Sequence, residues 1–149
     1  MFVTNKAMVN SRFTVAIHVL CLLAYQKAQP LTSEYIAGSV NTNPVVIRRL
    51  LAALRKAGVV KSQGGSAGGW ELIRDPATLT LLEVYRLVDP GKALALHRNA
   101  PNPLCPIGRH IQQGLDEYYE RAQKGMEREL GGIFIAQVLH DVLASKNAG

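Results

Sequence analysis

Residues 43–70 of the 149-residue chain read NPVVIRRLLAALRKAGVVKSQGGSAGGW, and this stretch decides the fold. Asn43 is a suitable helix N-cap, and Pro44 suits the first helical position because no backbone N–H is needed there. Apolar residues then recur at helical spacing, and they are Ile47, Leu50, Leu51 and Leu54. Gly58 follows two basic residues, at a position where helices commonly end. The pattern predicts a helix with one buried face and arginines on the other.

Two short strands are predicted after this helix, Val59–Gln63 and Trp70–Arg74, on either side of the run GGSAGG. Glycines at such a tip let a hairpin turn tightly and approach another backbone closely. The decisive stretch is therefore a basic helix followed by a glycine-tipped β-hairpin.

The residues before this stretch predict two further helices. Asn10 or Ser11 is a candidate cap for a first helix that runs to about Tyr25. Thr32 caps a short second helix that ends near Ser39, and the segment from Gly38 onward is read as the turn into the third helix. A short helix, a turn containing glycine and a longer basic helix follow the helix-turn-helix order, and the hairpin makes it a winged helix-turn-helix.

The residues after the hairpin predict three more helices. A short one spans Thr80–Val88, a loop follows, and Pro106 opens a long helix that ends near Leu130. One side of the long helix is apolar, and its members are Ile107, Ile111, Leu115, Tyr118, Tyr119, Ala122, Met126 and Leu130. A last helix begins around Ile133. Because a stripe of this width is normally buried, we expect the long helix to cross its twin in a two-fold homodimer; a core helix within one subunit is the other interpretation.

The net positive charge of the chain lies in its first 70 residues. The first 70 residues hold eight Lys/Arg and one acid, Glu34, for a net charge of +7, whereas the remainder has nine Lys/Arg and ten acids. No Asp or Glu occurs from Tyr35 to Trp70. Such an asymmetry is typical of a surface that binds a polyanion, and double-stranded DNA is the expected partner. A winged helix used only for protein contacts is the other interpretation, which the acid-free block disfavours.

Composition excludes several other classes of protein. Two cysteines are too few for a disulfide scaffold and suit a reducing cytoplasm, where we expect the protein to act. No apolar run reaches the ~18–20 residues of a membrane span. GGSAGG lacks the Lys-Ser/Thr ending of a phosphate-binding loop, and its glycines do not match a dinucleotide fingerprint. His97, Cys105 and His110 lack recognisable metal-ligand or catalytic spacing, so no enzyme is expected.

The chain resembles the Rrf2 family of bacterial transcription regulators over about Val9–Val88. The matching pieces are Asn10-Ser11-Arg12-Phe13, the runs Ile47–Leu51 and Leu54–Val60, then Ser62, Gly65, Gly68, Gly69, Trp70 and Thr80–Val84. The resemblance implies homodimers that bind palindromic operators, with the third helix in the major groove and the wing at the minor groove. It also implies three parts: a winged helix-turn-helix over residues 8–90, a sensor-type loop over 91–105 and dimerisation helices over 106–145.

Two positions depart from the family pattern. A basic residue often precedes the first wing glycine, where this chain has Gly64. Several members hold an iron–sulfur cluster with three cysteines in the sensor loop, whereas this loop contains only Cys105. One thiolate cannot hold a cluster that usually needs four protein ligands. We therefore expect no cofactor.

DNA contacts are predicted for the start and outer face of the third helix. The candidates there are Thr42, Asn43, Val45, Arg48 and Arg49. Arginine bonds guanine bidentately, and valine contacts the thymine methyl group. Arg55 and Lys61 are expected to meet phosphates, with Gln63 and Ser66 as further wing candidates.

Cys105 is the candidate sensor residue. It stands between Pro103 and Pro106 where the long helix begins, so the helix dipole is expected to stabilise its thiolate. A reactive thiol would sense oxidants by forming a sulfenic acid or a disulfide. A packed, inert thiol is the other interpretation, and so is a regulator that answers a small ligand or no signal at all. Cys21, on an apolar helix face, is predicted to be unreactive.

Overall fold

The computed structural model of the chain describes residues 11–145. They form α1 (Ser11–Tyr25), α2 (Ser33–Val40), α3 (Pro44–Lys56), β1 (Val60–Gln63), β2 (Gly69–Leu72), α4 (Leu81–Val88), α5 (Pro106–Gly131) and α6 (Ile135–Ser145). The predicted fold class, mainly α with a small β-hairpin wing and a long C-terminal helix, is confirmed. The chain divides into two compact units, one of residues up to 90 together with those from 131 onward, the other of residues 91–130.

The core of the first unit is built around α1, which packs against α2, β2, α4 and α6. Its largest fully buried side chains come from every helix of the unit, and they include Val19, Leu20, Ile36, Ile47, Leu51, Leu54, Leu79, Val84 and Ile135. The apolar stripe predicted for α3 is the buried face of that helix, with Leu50 only 2% exposed. Burial of this stripe fixes which side of α3 faces solvent, and that side carries its arginines.

Side-chain caps set where the helices begin. The Tyr35 N–H donates to Thr32 Oγ1 (3.1 Å), and the Val45 N–H donates to Asn43 Oδ1 (2.8 Å), so both predicted caps are confirmed. The turn between α2 and α3 differs from expectation, because α2 continues through Gly38 to Val40. Asn41 takes the left-handed conformation, with φ +62°, that ends this helix. Asparagine tolerates that conformation better than most residues, so no glycine is needed there.

Glu83 links the end of the wing to α4. Its carboxylate accepts the Thr80 N–H (3.1 Å) while Thr80 Oγ1 accepts the Glu83 N–H (3.1 Å), a reciprocal capping box. The Thr80 backbone hydrogen bond holds the pKa of Glu83 below its ordinary value, and the Arg74 guanidinium, 3.2 Å away, acts in the same direction. The first turn of α4 is thereby attached to the segment that leaves β2.

The wing is a two-stranded antiparallel hairpin in which Val60 pairs with Leu72 and Gln63 with Gly69. Its strands begin and end slightly differently from the predicted Val59–Gln63 and Trp70–Arg74. The Val59 carbonyl accepts both the Ile73 N–H (3.0 Å) and the Arg74 N–H (3.3 Å), so the regular ladder stops there. The glycine-rich tip joins the strands as expected.

The wing also pairs with the segment before α2. The Leu31 N–H donates to the Trp70 carbonyl (3.0 Å), and the Trp70 N–H donates to the Leu31 carbonyl (2.8 Å). Glycine at position 69 permits this close approach, because a Cβ there would lie 2.6 Å from the Leu31 carbonyl oxygen. Its φ of +153° is also unfavourable for other residues. The close backbone approach expected of the glycine run is realised at Leu31.

The last helix begins later than predicted, because Ile133 and Phe134 lie before α6 rather than in it. Their backbones instead pair with the segment before α4: the Leu81 N–H donates to the Ile133 carbonyl (2.9 Å) and the Ile135 N–H to the Leu79 carbonyl (2.9 Å). With Ile135 fully buried, α6 is part of the first unit.

The second unit comprises the loop after α4 and all of α5 except its last residue. Lys92 Nζ lies 3.2 Å from Glu120 Oε1, and the Ala93 N–H donates to Gln123 Oε1 (3.0 Å), so the start of the loop is fastened along α5. No residue of α5 is buried: in the predicted apolar stripe Ile107, Tyr118 and Ala122 are exposed, and the other members are half-buried.

Replacing Gly69 is expected to weaken the first unit. Gly69→Ala places a methyl group against the Leu31 carbonyl and imposes the unfavourable φ, so the free energy of unfolding should fall by about 2 kcal/mol or more in urea titrations. Gly64→Ala, at the same tip but with open space around its Cβ, is the matched control and should change it by less than about 0.5 kcal/mol. Equal effects of the two substitutions would contradict the role given to Gly69.

Candidate nucleic-acid interface

The solvent-facing side of α3 is basic and small. Its exposed residues are Val45, Val46, Arg48, Arg49, Ala52, Arg55 and Lys56. No acidic residue lies on the helix, so this face has a uniform sign of charge. Val46 was not predicted as a contact, yet it is as exposed as Val45 (47% against 46%), and its place off the buried stripe was the signal in the sequence.

The start of α3 presents fewer free polar groups than expected. Asn43 is exposed, but its Oδ1 accepts the Val45 N–H and is used as the helix cap. Its side-chain amide NH₂ remains as a donor. Thr42 is half-buried, and its backbone N–H donates to the Ala37 carbonyl (3.0 Å). Val45 and Val46 therefore offer the clearest apolar contacts at this end of the helix.

The two neighbouring arginines differ in their surroundings. Arg48 Nη2 donates to Glu34 Oε1 of α2 and forms an ion pair with it. Arg49 is exposed, and within residues 11–145 its side chain takes part in no hydrogen bond or ion pair. Arg49 therefore keeps all its guanidinium donors for a ligand, whereas Arg48 shares one of its nitrogens with a carboxylate.

Arg55 connects α3 to the wing. Its Nη1 lies 3.3 Å from Ser62 Oγ of β1, and its guanidinium carbon lies 5.7 Å from the centre of the Trp70 ring of β2. A guanidinium over an indole face is attracted by the ring quadrupole. The Trp70 Nε1–H in turn donates to Ser33 Oγ at the start of α2 (3.2 Å). Arg55 therefore contacts the wing and is at the same time exposed to solvent.

The wing carries one cation and two polar tip residues among the predicted contacts. Lys61 Nζ lies 3.1 Å from Glu71 Oε2 on the neighbouring strand. Gln63 closes the ladder opposite Gly69, Ser66 sits in the turn, and both are exposed. The ion pairs that Glu34 and Glu71 form with these basic side chains were not predicted, because each pair joins residues of two different elements.

The two cysteines lie in different surroundings. Cys21 is half-buried in α1, with its Sγ 4.0 Å from the Ile135 carbonyl oxygen, and burial raises the pKa of its thiol to about 11. A thiol with so high a pKa is almost fully protonated at neutral pH and reacts slowly. Cys105 is exposed, immediately before α5, and its carbonyl accepts the Arg109 N–H (2.9 Å).

A metal centre is not assembled by the residues that the structure describes. Within residues 11–145, no group of three or more His, Cys, Asp or Glu side chains lies close enough to hold a metal ion. Within the same range, no helix combines the length and the apolar character that a membrane span requires.

A basic helix after a tight turn, bound to a β-hairpin wing, defines a winged helix-turn-helix, a fold class of DNA-binding proteins. The family model described as Rrf2, iron-dependent transcriptional regulator, matches residues 9–141. The Bacillus subtilis protein YwnA, named as an HTH-type transcriptional regulator, is 47% identical over 134 residues, which are 89% of this chain and 98% of YwnA. The chain belongs to the Rrf2 family of transcriptional regulators, and the resemblance seen in its sequence is confirmed.

Solved structures agree with this assignment. One described as a DNA-binding protein is 42% identical, with a TM-score of 0.66, over 86% of this chain and 98% of its own. A transcriptional regulator from Lactobacillus plantarum is 25% identical, with a TM-score of 0.74, over 88% of this chain and 89% of its own.

The family description names iron, and an iron centre requires several protein ligands close together. The loop over 91–105 offers one cysteine, and no three potential ligands converge within residues 11–145. Iron–sulfur clusters are held mainly by several thiolates. The described residues therefore do not fit such a cluster.

Proposed function

We propose that the protein is a sequence-specific repressor that acts in the cytoplasm as a homodimer on a palindromic operator. The observation that carries the proposal is the basic face of α3, exposed beside a wing that Arg55 and Trp70 attach to it. The major groove admits an α-helix, and a wing at the end of that helix reaches the adjacent backbone and minor groove. A small dimer without a separate activation surface acts most simply by covering a promoter.

Within this arrangement the residues divide into readers and anchors. Arg49 and Arg48 read guanine edges, and Val45 contacts a thymine methyl group. Asn43 and Thr42 lie at the end of α3 that enters the groove, where the helix N-terminus also favours a phosphate. The wing candidates Lys61, Gln63 and Ser66, with Arg55, contact the sugar-phosphate backbone and position the protein.

The homodimer is supported by the exposed part of the apolar stripe of α5, namely Ile107, Tyr118 and Ala122. Ile107 is 71% exposed and Tyr118 is 64% exposed, on a helix of 26 residues with no buried side chain. Large apolar side chains left exposed on one helix face are a common feature of protein interfaces. A two-fold dimer carries two copies of α3, and a palindromic operator repeats the same symmetry.

Regulation is proposed to act through Cys105. Its exposed sulfur attacks a peroxide oxygen as a thiolate, the O–O bond breaks, and a sulfenic acid forms while the peroxide is reduced to water. Cys21, half-buried and with a raised pKa, does not compete for the oxidant. The modified sulfur lies at the first turn of α5, the helix on which dimerisation depends.

A small-ligand response is the alternative, and one feature of the second unit favours it. The loop and α5 line an open pocket of about 320 Å³, with apolar side chains such as Leu94 and Leu96, with Tyr119, and with polar groups such as Lys92 and Gln123. A ligand there would displace or reinforce the hydrogen bonds that fasten the loop. Binding of candidate metabolites by calorimetry, compared with a Leu94→Arg variant, separates this alternative from oxidation.

Operator recognition is tested by selecting bound duplexes from a random pool and then measuring the affinity of each variant for the selected operator. Arg49→Ala should lose about 1–3 kcal/mol of binding free energy and relax preference at one base pair in each half-site. Lys61→Ala should weaken all duplexes alike and reduce the salt slope by about 1. Failure to enrich any sequence would overturn the proposed function, and unchanged binding by Arg49→Ala would overturn its role as a reader.

Light scattering at micromolar concentration should find a dimer. Tyr118→Glu puts a charge into the exposed part of the apolar stripe of α5 and should yield a monomer with weaker operator binding. Glu117→Gln, one position along on the charged side of the helix, is the matched control and should leave the dimer intact. A monomeric wild-type protein would contradict the proposed interface.

Peroxide should lower operator affinity roughly tenfold through Cys105, the range of ordinary coupling between two sites. Cys21→Ser should respond as the wild type does, because the thiol it removes is half-buried and protonated. Cys105→Ser should keep its affinity. If Cys105→Ser responds as strongly as the wild type, Cys105 has no part in regulation.

A further inference from the structure

Glu34 is the one acidic residue among the first 70, and it is placed against an arginine that faces the proposed operator. We propose that Glu34 is a specificity-determining residue: it orients Arg48 for a guanine edge and withholds it from phosphates. This inference rests on the proposed DNA-binding function and assigns a role to a residue on α2, outside the recognition helix.

The position of Glu34 is set by its own helix. It lies in the first turn of α2, where the positive end of the helix dipole stabilises a carboxylate. Arg48 follows the first turn of α3 on its exposed face, and the turn at Asn41 brings the two helices together. The ion pair between Glu34 Oε1 and Arg48 Nη2 therefore bridges the two helices of the helix-turn-helix at its solvent-facing side.

The pair is too exposed to serve mainly as a structural contact. The side chains of Arg48 and Glu34 are 51% and 63% exposed. Exposed ion pairs contribute little to folding stability because water screens them and both side chains lose freedom. What the pair does change is the direction of the guanidinium, which is held toward α2 instead of sampling many rotamers.

A guanidinium held in this way can still read a base. It has several N–H donors in a rigid plane, and Glu34 accepts a hydrogen bond from Nη2 only. The other edges of the plane remain free to donate to guanine O6 and N7. The orienting cost is met before binding, which favours the matched base over other contacts.

The same carboxylate discourages phosphate binding by Arg48. To neutralise a phosphate, Arg48 would leave Glu34 behind as an unpaired negative charge close to the DNA backbone. Non-specific affinity depends on how many phosphates the protein neutralises, so an arginine kept from phosphates lowers it. Specificity is the difference between the two affinities, and Glu34 acts on both sides of that difference.

The experiment measures affinity for the selected operator and for a random duplex across a range of salt concentrations. Glu34→Ala frees Arg48 for phosphates, so it should tighten binding to random duplex and steepen the random-duplex salt slope by about 0.9. The ratio of specific to non-specific affinity should fall about tenfold, which is the lower part of the range for one bidentate base contact. Glu34→Gln keeps an acceptor without the charge and should give a smaller loss of that ratio.

Two controls isolate the pair. In an Arg48→Ala background, Glu34→Ala should tighten both duplexes only by the small repulsion it removes and should leave the ratio unchanged, because the arginine it acts on is absent. Glu71→Ala releases Lys61 on the wing in the same chemical way. It should tighten both duplexes by the same factor and leave the ratio unchanged, since Lys61 is assigned to phosphates. Thermal unfolding of each variant reports whether it is folded, and Glu34→Gln carries the test if Glu34→Ala is not.

The outcomes separate this inference from the proposed function. Wild-type protein that prefers the selected operator, with the same ratio in Glu34→Ala, overturns the inference and leaves the function standing. Equal gains in the wild-type and Arg48→Ala backgrounds also overturn it, because they show a general repulsion between Glu34 and DNA. Wild-type protein with no preference for any duplex overturns the function and the inference with it.

Discussion

The geometry of the proposed interface depends on the backbone pairing between Leu31 and Trp70. Two hydrogen bonds of 3.0 and 2.8 Å join the wing to the segment that leads into α2. Trp70 then contacts two further elements, since its indole N–H donates to Ser33 Oγ and its ring lies under the Arg55 guanidinium. One aromatic residue thereby fixes the wing against both helices of the helix-turn-helix. Gly69 is required beside it because any side chain would collide with Leu31.

Local sequence patterns predicted most of the fold, because each rested on a short-range physical cause. Asn43 and Thr32 cap helices through bonds to residues only two or three positions away. The α3 stripe follows from helical spacing alone. Features that depend on distant partners were not predicted: the bridge from Leu31 to Trp70, and the pairing of Phe134 with Thr80 that delays the start of α6. No local sequence pattern indicates such contacts, because each is an isolated bridge between two single residues that are far apart in the sequence.

The candidate site shows the same division. Which residues of α3 face outward was predictable, because burial of the opposite stripe decides it. Which of those residues have a partner within the protein was not predictable from the sequence. Arg48, Arg55 and Lys61 have partners at Glu34, Trp70 and Glu71 respectively. The net charge of +7 in the first 70 residues gives the long-range field that attracts a polyanion, and these short-range partners decide which cations turn toward it.

The loop before α5 has no iron-ligand set among the described residues. The family is described as iron-dependent, and an iron centre would need ligands that this loop does not supply. Here the start of that loop is organised by the chain itself, through Lys92 to Glu120 and Ala93 to Gln123. Its other end is the exposed Cys105 at the first turn of α5. Oxidation of a thiol changes size, polarity and charge without any cofactor. Because the exposed part of the apolar stripe of the same helix is the proposed dimer interface, sensing and assembly meet on one element, and a change at its first turn needs no long pathway to reach the partner subunit.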